Sequence, residues 1–184
     1  MTPLNAGALD EADRALIAPW KAHVLNPEVI TKHTDGEDLC WFGMPYMRGM
    51  VAMAEALGGD RECLDAFCAA FDYLMSIASR DIDGLFGWPT THGNYGKQGP
   101  RCIVMDDAYI LAPVAHFGKV VKDHPDLEAD YGERAARYLA FIEGEILPKW
   151  SESWLDLPER TTTLRWTDGA FRRVAVTFPE PAGV

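Results

Sequence analysis

The sequence is short of positive charge. Its 184 residues carry 17 Lys and Arg against 28 Asp and Glu, a formal net charge of −11. Affinity for nucleic acid comes mainly from Lys and Arg neutralising phosphates, so a chain this acidic argues against a nucleic-acid partner. A neutral or cationic partner is permitted, and an anionic polymer would need a local basic patch to override the global field. Long apolar runs are missing as well. No stretch approaches the roughly 18–20 apolar residues of a membrane span, so no membrane partner is expected. The opening residues Met1–Asp10 have neither a basic start nor a sustained apolar segment, which sets a signal peptide aside. The expected location is cytoplasmic, or periplasmic or secreted should the chain be a piece of a longer protein. Four cysteines are too few for a disulfide scaffold at this length, and Cys63 and Cys68 share one helical pattern at diverging positions. A Gly-rich phosphate loop, a GxSxG elbow and a CxxC pair are absent too, which argues against those chemistries. No cofactor is expected.

What is present is a long aromatic, glycine-rich and polar connection from Asp81 to Arg101. It runs into Met105-Asp-Asp-Ala-Tyr109 and an apolar helical pattern. Connections in compact domains have a median of roughly 4–6 residues, and structureless ones beyond about 15 are usually functional or disordered. This one carries Phe86, Trp88 and Tyr95, whereas disordered segments are poor in aromatics. It reads as an ordered surface built to meet something.

Elsewhere the apolar residues recur with a helical period. Asp10 to Leu25 predicts a first helix with Leu16, Ile17, Trp20 and Val24 on one side and a distortion at Pro19. Met44, Met47, Val51, Ala54 and Leu57 mark a second, stopped by Gly58-Gly59. Leu64, Phe67, Cys68, Phe71, Leu74, Met75 and Ala78 follow i, i+3, i+4, i+7 without a break, with Asp60 as N-cap. A fourth helix starts near Asp106 with Pro113 inside it, and a fifth runs from about Leu127 to Pro148. Long loop then short loop implies repeated helical hairpins. The composition changes after Trp154: β-branched and aromatic residues flank Asp168-Gly169 between Thr161 and Phe178, a β-hairpin signal. The organisation expected is a helical-hairpin domain over 1–154, then a β-hairpin and extended tail over 155–184 leading into further sequence.

The segment Gly43-Met-Pro-Tyr-Met-Arg-Gly-Met-Val-Ala-Met-Ala-Glu-Ala-Leu-Gly-Gly-Asp60 resembles the inner-helix, short-turn, outer-helix unit of the (α/α) toroids. Asp107–Phe117 followed by Asp126–Leu139 resembles the next unit, as does Glu145–Trp154. This is the scaffold of six-hairpin glycosidases, several polysaccharide lyases and uronyl or sugar epimerases. The resemblance spans roughly Trp20 to Trp154 and implies a mainly α fold: antiparallel helical hairpins forming the first two or three of six or seven, an incomplete toroid. It further implies an oligosaccharide or polysaccharide substrate, bound where loops enter the inner helices. That places 31–44 and 81–105 on the cleft side.

On that reading Asp106 and Asp107 are catalytic candidates, since toroidal glycosidases use carboxylates as acid and base. Adjacent residues cannot both face one cleft, and the bland alternative is an N-cap plus a first-turn acid favoured by the helix dipole. His92 and Tyr95, with Asn94 and Arg101, match the residue types that toroidal lyases use to move a proton and neutralise a uronate, although in that family they come from different loops. A structural polar loop is the alternative. Trp41, Tyr46 and Trp88 offer flat faces to sugar rings or, equally, belong to the core. His33, Asp35 and Glu37 alternate as an extended metal-binding strand would, but no second ligand group follows, so a solvated loop is preferred and no metal is expected. The function expected is β-elimination of a polyuronide or glycoside hydrolysis. The alternative is a non-catalytic helical-repeat module binding glycan or protein. An arc of hairpins also leaves an unpaired lateral face, so an exposed apolar patch and self-association are expected beside the last helix or Trp150–Trp154.

Overall fold

Two helical hairpins, laid side by side, form the body of the molecule. In this computed structural model residues 9–81, 83–92 and 99–151 are described, together with the strand backbone of 163–167 and 170–174. Helix α1 (Glu11–Val24) opens with a capping box between Asp10 and Asp13. Short helices α2 (Glu28–Thr31) and α3 (Gly36–Asp38) lead through a wide turn, Leu39–Gly43, into α4 (Met44–Ala56). Gly58 and Gly59, both at positive φ, reverse the chain into α5 (Arg61–Ile77). Asp60 caps α5 by accepting from the Cys63 amide at 3.0 Å, as its position predicts. The next long helix, α6 (Val104–Asp123), is separated from α7 (Pro125–Phe141) by His124 alone, and Pro125 occupies the first turn where its missing N–H costs nothing. A second wide turn, Ile142–Ile146, continues α7 into α8 (Leu147–Ser151).

The periodicity of α5 is realised over most of its length, with Met75 and the C-cap Ala78 only partly buried. Leu64, Phe67, Cys68, Phe71 and Leu74 are inaccessible to solvent. Phe67 stacks on Phe117 of α6 at 4.8 Å and Phe71 meets Tyr138 of α7 edge-on at 4.8 Å, so one aromatic cluster joins both hairpins. All four cysteines are buried free thiols.

Contacts between the hairpins run in register. From α4 and the turn before it, Trp41 meets Tyr109, and Glu55 meets His116 and Lys119, so α4 and α6 are parallel and in direct contact. From α5, Arg61 meets Asp130, Asp65 meets Tyr131, and Asp72 meets Arg137 and Tyr138, so α5 and α7 are also parallel. One layer holds α4 and α6, and the other holds α5 and α7.

Several expectations change. The long connection, read as ordered, gains short strands that the sequence did not show: Ser79–Arg80 (β1) pairs antiparallel with Phe86–Gly87 (β2), and Thr90 bridges Arg101. α1 buries Val24 but leaves Leu16 80% and Trp20 51% exposed, so its apolar side is only partly covered. An exposed apolar face lies at α1 and α4, around a groove lined by Leu16, Ile17, Trp20, Met53 and Leu57; in the last described helix Trp150 is buried and Leu147 is 41% exposed. Trp154 lies outside the described residues. The predicted C-terminal hairpin is present as Thr163–Thr167 (β3) paired antiparallel with Ala170–Val174 (β4), its Asp168-Gly169 turn lying outside the described residues. No helix among the described residues is long and apolar enough to cross a membrane.

Candidate functional site

The two segments expected on the cleft side do meet at one end of the hairpins. Asp35 is the knot. It caps α3 through the Glu37 amide, accepts from the Thr90 hydroxyl at 2.7 Å, and accepts from both the amide and the hydroxyl of Thr91. Burial pulls the Asp35 carboxyl upward, but those hydrogen bonds outweigh it and hold the group below its ordinary value. Gly36 donates its amide to the Pro89 carbonyl, and a Cβ there would lie 2.0 Å from the Trp88 carbonyl oxygen. Only glycine permits that approach. The segment at His33–Glu37 is thus a half-buried structural joint rather than a solvated loop. Among the described residues no group of three or more His, Cys, Asp or Glu is arranged to hold a metal.

Asp106 and Asp107 sit beneath this joint in the first turn of α6, and both are fully buried. Neither is the N-cap, which is Ile103 in an extended conformation. They point to different neighbours, as adjacent helical residues must. Asp107 accepts from the Trp88 amide at 3.3 Å and from the Trp150 indole at 2.8 Å, fastening α6 to both the long connection and α8. Burial pushes its carboxyl up to about 7, against the pull of those two donors and of Lys149. Asp106 has no well-formed hydrogen bond to either oxygen. Burial raises it to about 6. The nearby Cys40 thiol opposes the shift, and the charges of Glu37 and Asp35 add to it. Cys40 itself is pushed up to about 12 by burial and by Asp106, so it stays a thiol.

The remaining candidates divide. Trp41 is half-exposed with its ring 6.3 Å from Tyr109, and Phe42 beside it is 58% exposed and stacks on His33. With the exposed Tyr109 and Met105 of the first turns of α6 they form an apolar, mostly aromatic rim at this end. Trp88 does not belong to that rim: it is buried, its indole donates to the Leu74 carbonyl at 2.9 Å, and it is closed to a sugar. Tyr46 faces α1, its hydroxyl 3.2 Å from His23 Nε2. His92 is half-exposed, 3.4 Å from Asp38 and 3.8 Å from Asp35. Arg101 is half-buried, paired with Thr90 by backbone and donating to the Pro100 carbonyl. Asn94 and Tyr95 lie outside the described residues. Sequence reasoning missed Cys40, Phe42 and Tyr109. Tyr109 had a signal, since it stands three residues after Asp106 on the same helix face.

No protein-family description, no curated protein and no solved structure matches this chain.

Proposed function

We propose that the chain is the hairpin part of an (α/α)-toroid protein acting on an oligosaccharide or polysaccharide, with glycoside hydrolysis favoured over β-elimination. The parallel α4/α6 and α5/α7 layers support the toroid, because each hairpin of such a ring repeats an inner and an outer helix in the same sense. The observation that carries the reaction is Asp106: a fully buried carboxyl, raised to about 6, in the first turns of α6, which also bear the exposed Met105 and Tyr109. A general acid must be protonated near the working pH to hand a proton to a leaving oxygen, and burial tunes a carboxyl to do so. Trp41 and Phe42 supply the flat apolar faces that pyranose rings stack on. Asp107 is a positioning residue for α6, saturated by Trp88 and Trp150. Elimination from a polyuronide fits less well, since Asp35, Glu37, Asp38 and Asp106 all surround the site and would repel a uronate carboxylate.

One observation favours the alternative of a non-catalytic glycan-binding module: both Asp106 oxygens are closed to solvent. Proton delivery therefore requires the rim to part. The deciding experiment incubates the protein with neutral, amino and uronic oligosaccharides, following reducing-end release and the absorbance of an unsaturated product. Release of reducing ends without unsaturation, lost in Asp106→Asn, is the expected result. Binding without either product would support the module, and unsaturated product would restore the lyase reading.

A further inference from the structure

Several carboxylates elsewhere among the described residues come with cations. Lys21 meets Asp60, Arg61 meets Asp130, Arg137 meets Asp72, Lys119 meets Glu55, and the buried Lys149 meets Asp81 and Asp83. The end of the hairpins at α3 is different. Asp35, Glu37, Asp38 and Asp106 gather there, and no Lys or Arg among the described residues pairs with any of them. Asp35 is satisfied by hydroxyls and amides, which are neutral. Asp38 has only histidines, His92 at 3.4 Å and His33 at 3.9 Å. Glu37 has no ion pair among the described residues. Asp106 is fully inaccessible, neither oxygen has a well-formed hydrogen bond, and the Cys40 thiol lies nearby. It also lies in the field of Glu37 and Asp35.

A buried carboxyl left without a well-formed hydrogen bond is rare enough to need a reason. Like charges gathered in partly buried surroundings raise one another's energy, and a cation arriving among them relieves all at once. The partly exposed members, Glu37 and Asp38, stand where an incoming group can touch them, and Asp106 lies close enough to feel the charge of Glu37. Beside them lie Trp41 and Phe42, which offer apolar faces and, to a cation, ring faces of negative potential.

We infer that this end of the molecule selects a positively charged sugar: an oligosaccharide bearing free amines, whose ammonium seats against Glu37 and Asp38 over Asp106 while its rings lie on Trp41 and Phe42. The inference rests on the carbohydrate reading above and names the substrate class within it.

The test is a titration, followed by tryptophan fluorescence and calorimetry, with three tetrasaccharides of equal length: β-1,4-linked glucosamine, its fully N-acetylated form and a uronate. It is run where the sugar amines are protonated. The expected result is that the glucosamine tetramer binds about tenfold tighter than the acetylated one, with the preference fading as salt is raised. Glu37→Gln and Asp38→Asn should each bring the two affinities together without moving the melting temperature. Glu133→Gln, at an exposed position far along α7, should leave the preference intact. Equal binding of the acetylated tetramer would overturn the inference and leave the sugar reading standing. An equal loss of preference in Glu133→Gln would also overturn it, since net charge alone would then explain the preference. Failure of all three sugars to bind would remove both.

Discussion

Asp106 and Asp107 are chemically identical and adjacent, yet their surroundings assign them different work. Asp107 has an indole and an amide as donors, so truncating it leaves both of them buried and unpaired. Asp106 has neither, and its raised carboxyl is the price of burial that the nearby Cys40 thiol offsets only in part. The sign of the pH effect follows. A carboxyl held above its ordinary value of about 4 binds its proton more tightly in the folded state. Its contribution to stability is complete below about pH 4 and is lost as the pH rises through about 6 for Asp106 and about 7 for Asp107. Asp35, Asp60 and Glu55 are lowered instead, so their stabilisation is lost on acidification and falls outside this window. The melting temperature of the wild type is therefore expected to drop from mildly acidic to mildly alkaline pH. Asp106→Asn, which cannot ionise, should flatten part of that drop, by no more than about 3 kcal/mol. Parallel curves for the two proteins across the window would mean that Asp106 does not titrate there. The pair was visible in the sequence only as two acids at a helix start. Burial of both could not be read, because it depends on Trp88, Trp150 and Cys40 arriving from three other segments.

At the scale of elements, what was legible is what local spacing governs. The apolar stripe of α5, the Asp60 cap and the Gly58-Gly59 stop all follow from residues a few positions apart, and all three stand as expected. The joint between α3 and the long connection was not legible, because it spans 55 positions from Asp35 to Thr90 and leaves no periodic trace. Likewise Trp88 looks like a surface aromatic in a polar loop until the Leu74 carbonyl is seen to take its indole proton. Two substitutions measure these joints. Gly36→Ala places a methyl group against the Trp88 carbonyl, and should destabilise by about 1–3 kcal/mol in urea unfolding. A neutral result would show that the two segments separate easily. Lys149→Met removes the cation shared by the nearly buried Asp81 and its neighbour Asp83. A loss of about 3 kcal/mol is expected by thermal denaturation, because a buried ion pair loses one partner. A loss within a few tenths of the wild type would place these acids in water.

The molecule as a whole has two unlike faces that secondary structure alone does not explain. One is the acidic, aromatic end where the segment at Asp35–Gly36 meets Trp88–Thr91, and the other is the apolar flank of α1 and α4. In the toroid reading the flank is where further hairpins would continue the ring, since Leu16 and Trp20 leave it uncovered. The protein is accordingly expected to bind an apolar dye, and Leu16→Glu with Trp20→Gln should abolish most of that signal. Undiminished dye binding in the double variant would place the apolar surface elsewhere. The acidic, aromatic end is where sugar binding is proposed, and hydrogen exchange tests that proposal most directly. Amide exchange measured with and without a saturating glucosamine tetramer should show new protection at Gly36–Phe42, at Trp88–His92 and in the first turns of α6, with none along α1. Protection confined to α1 and α4, or none anywhere at saturating sugar, would contradict the account.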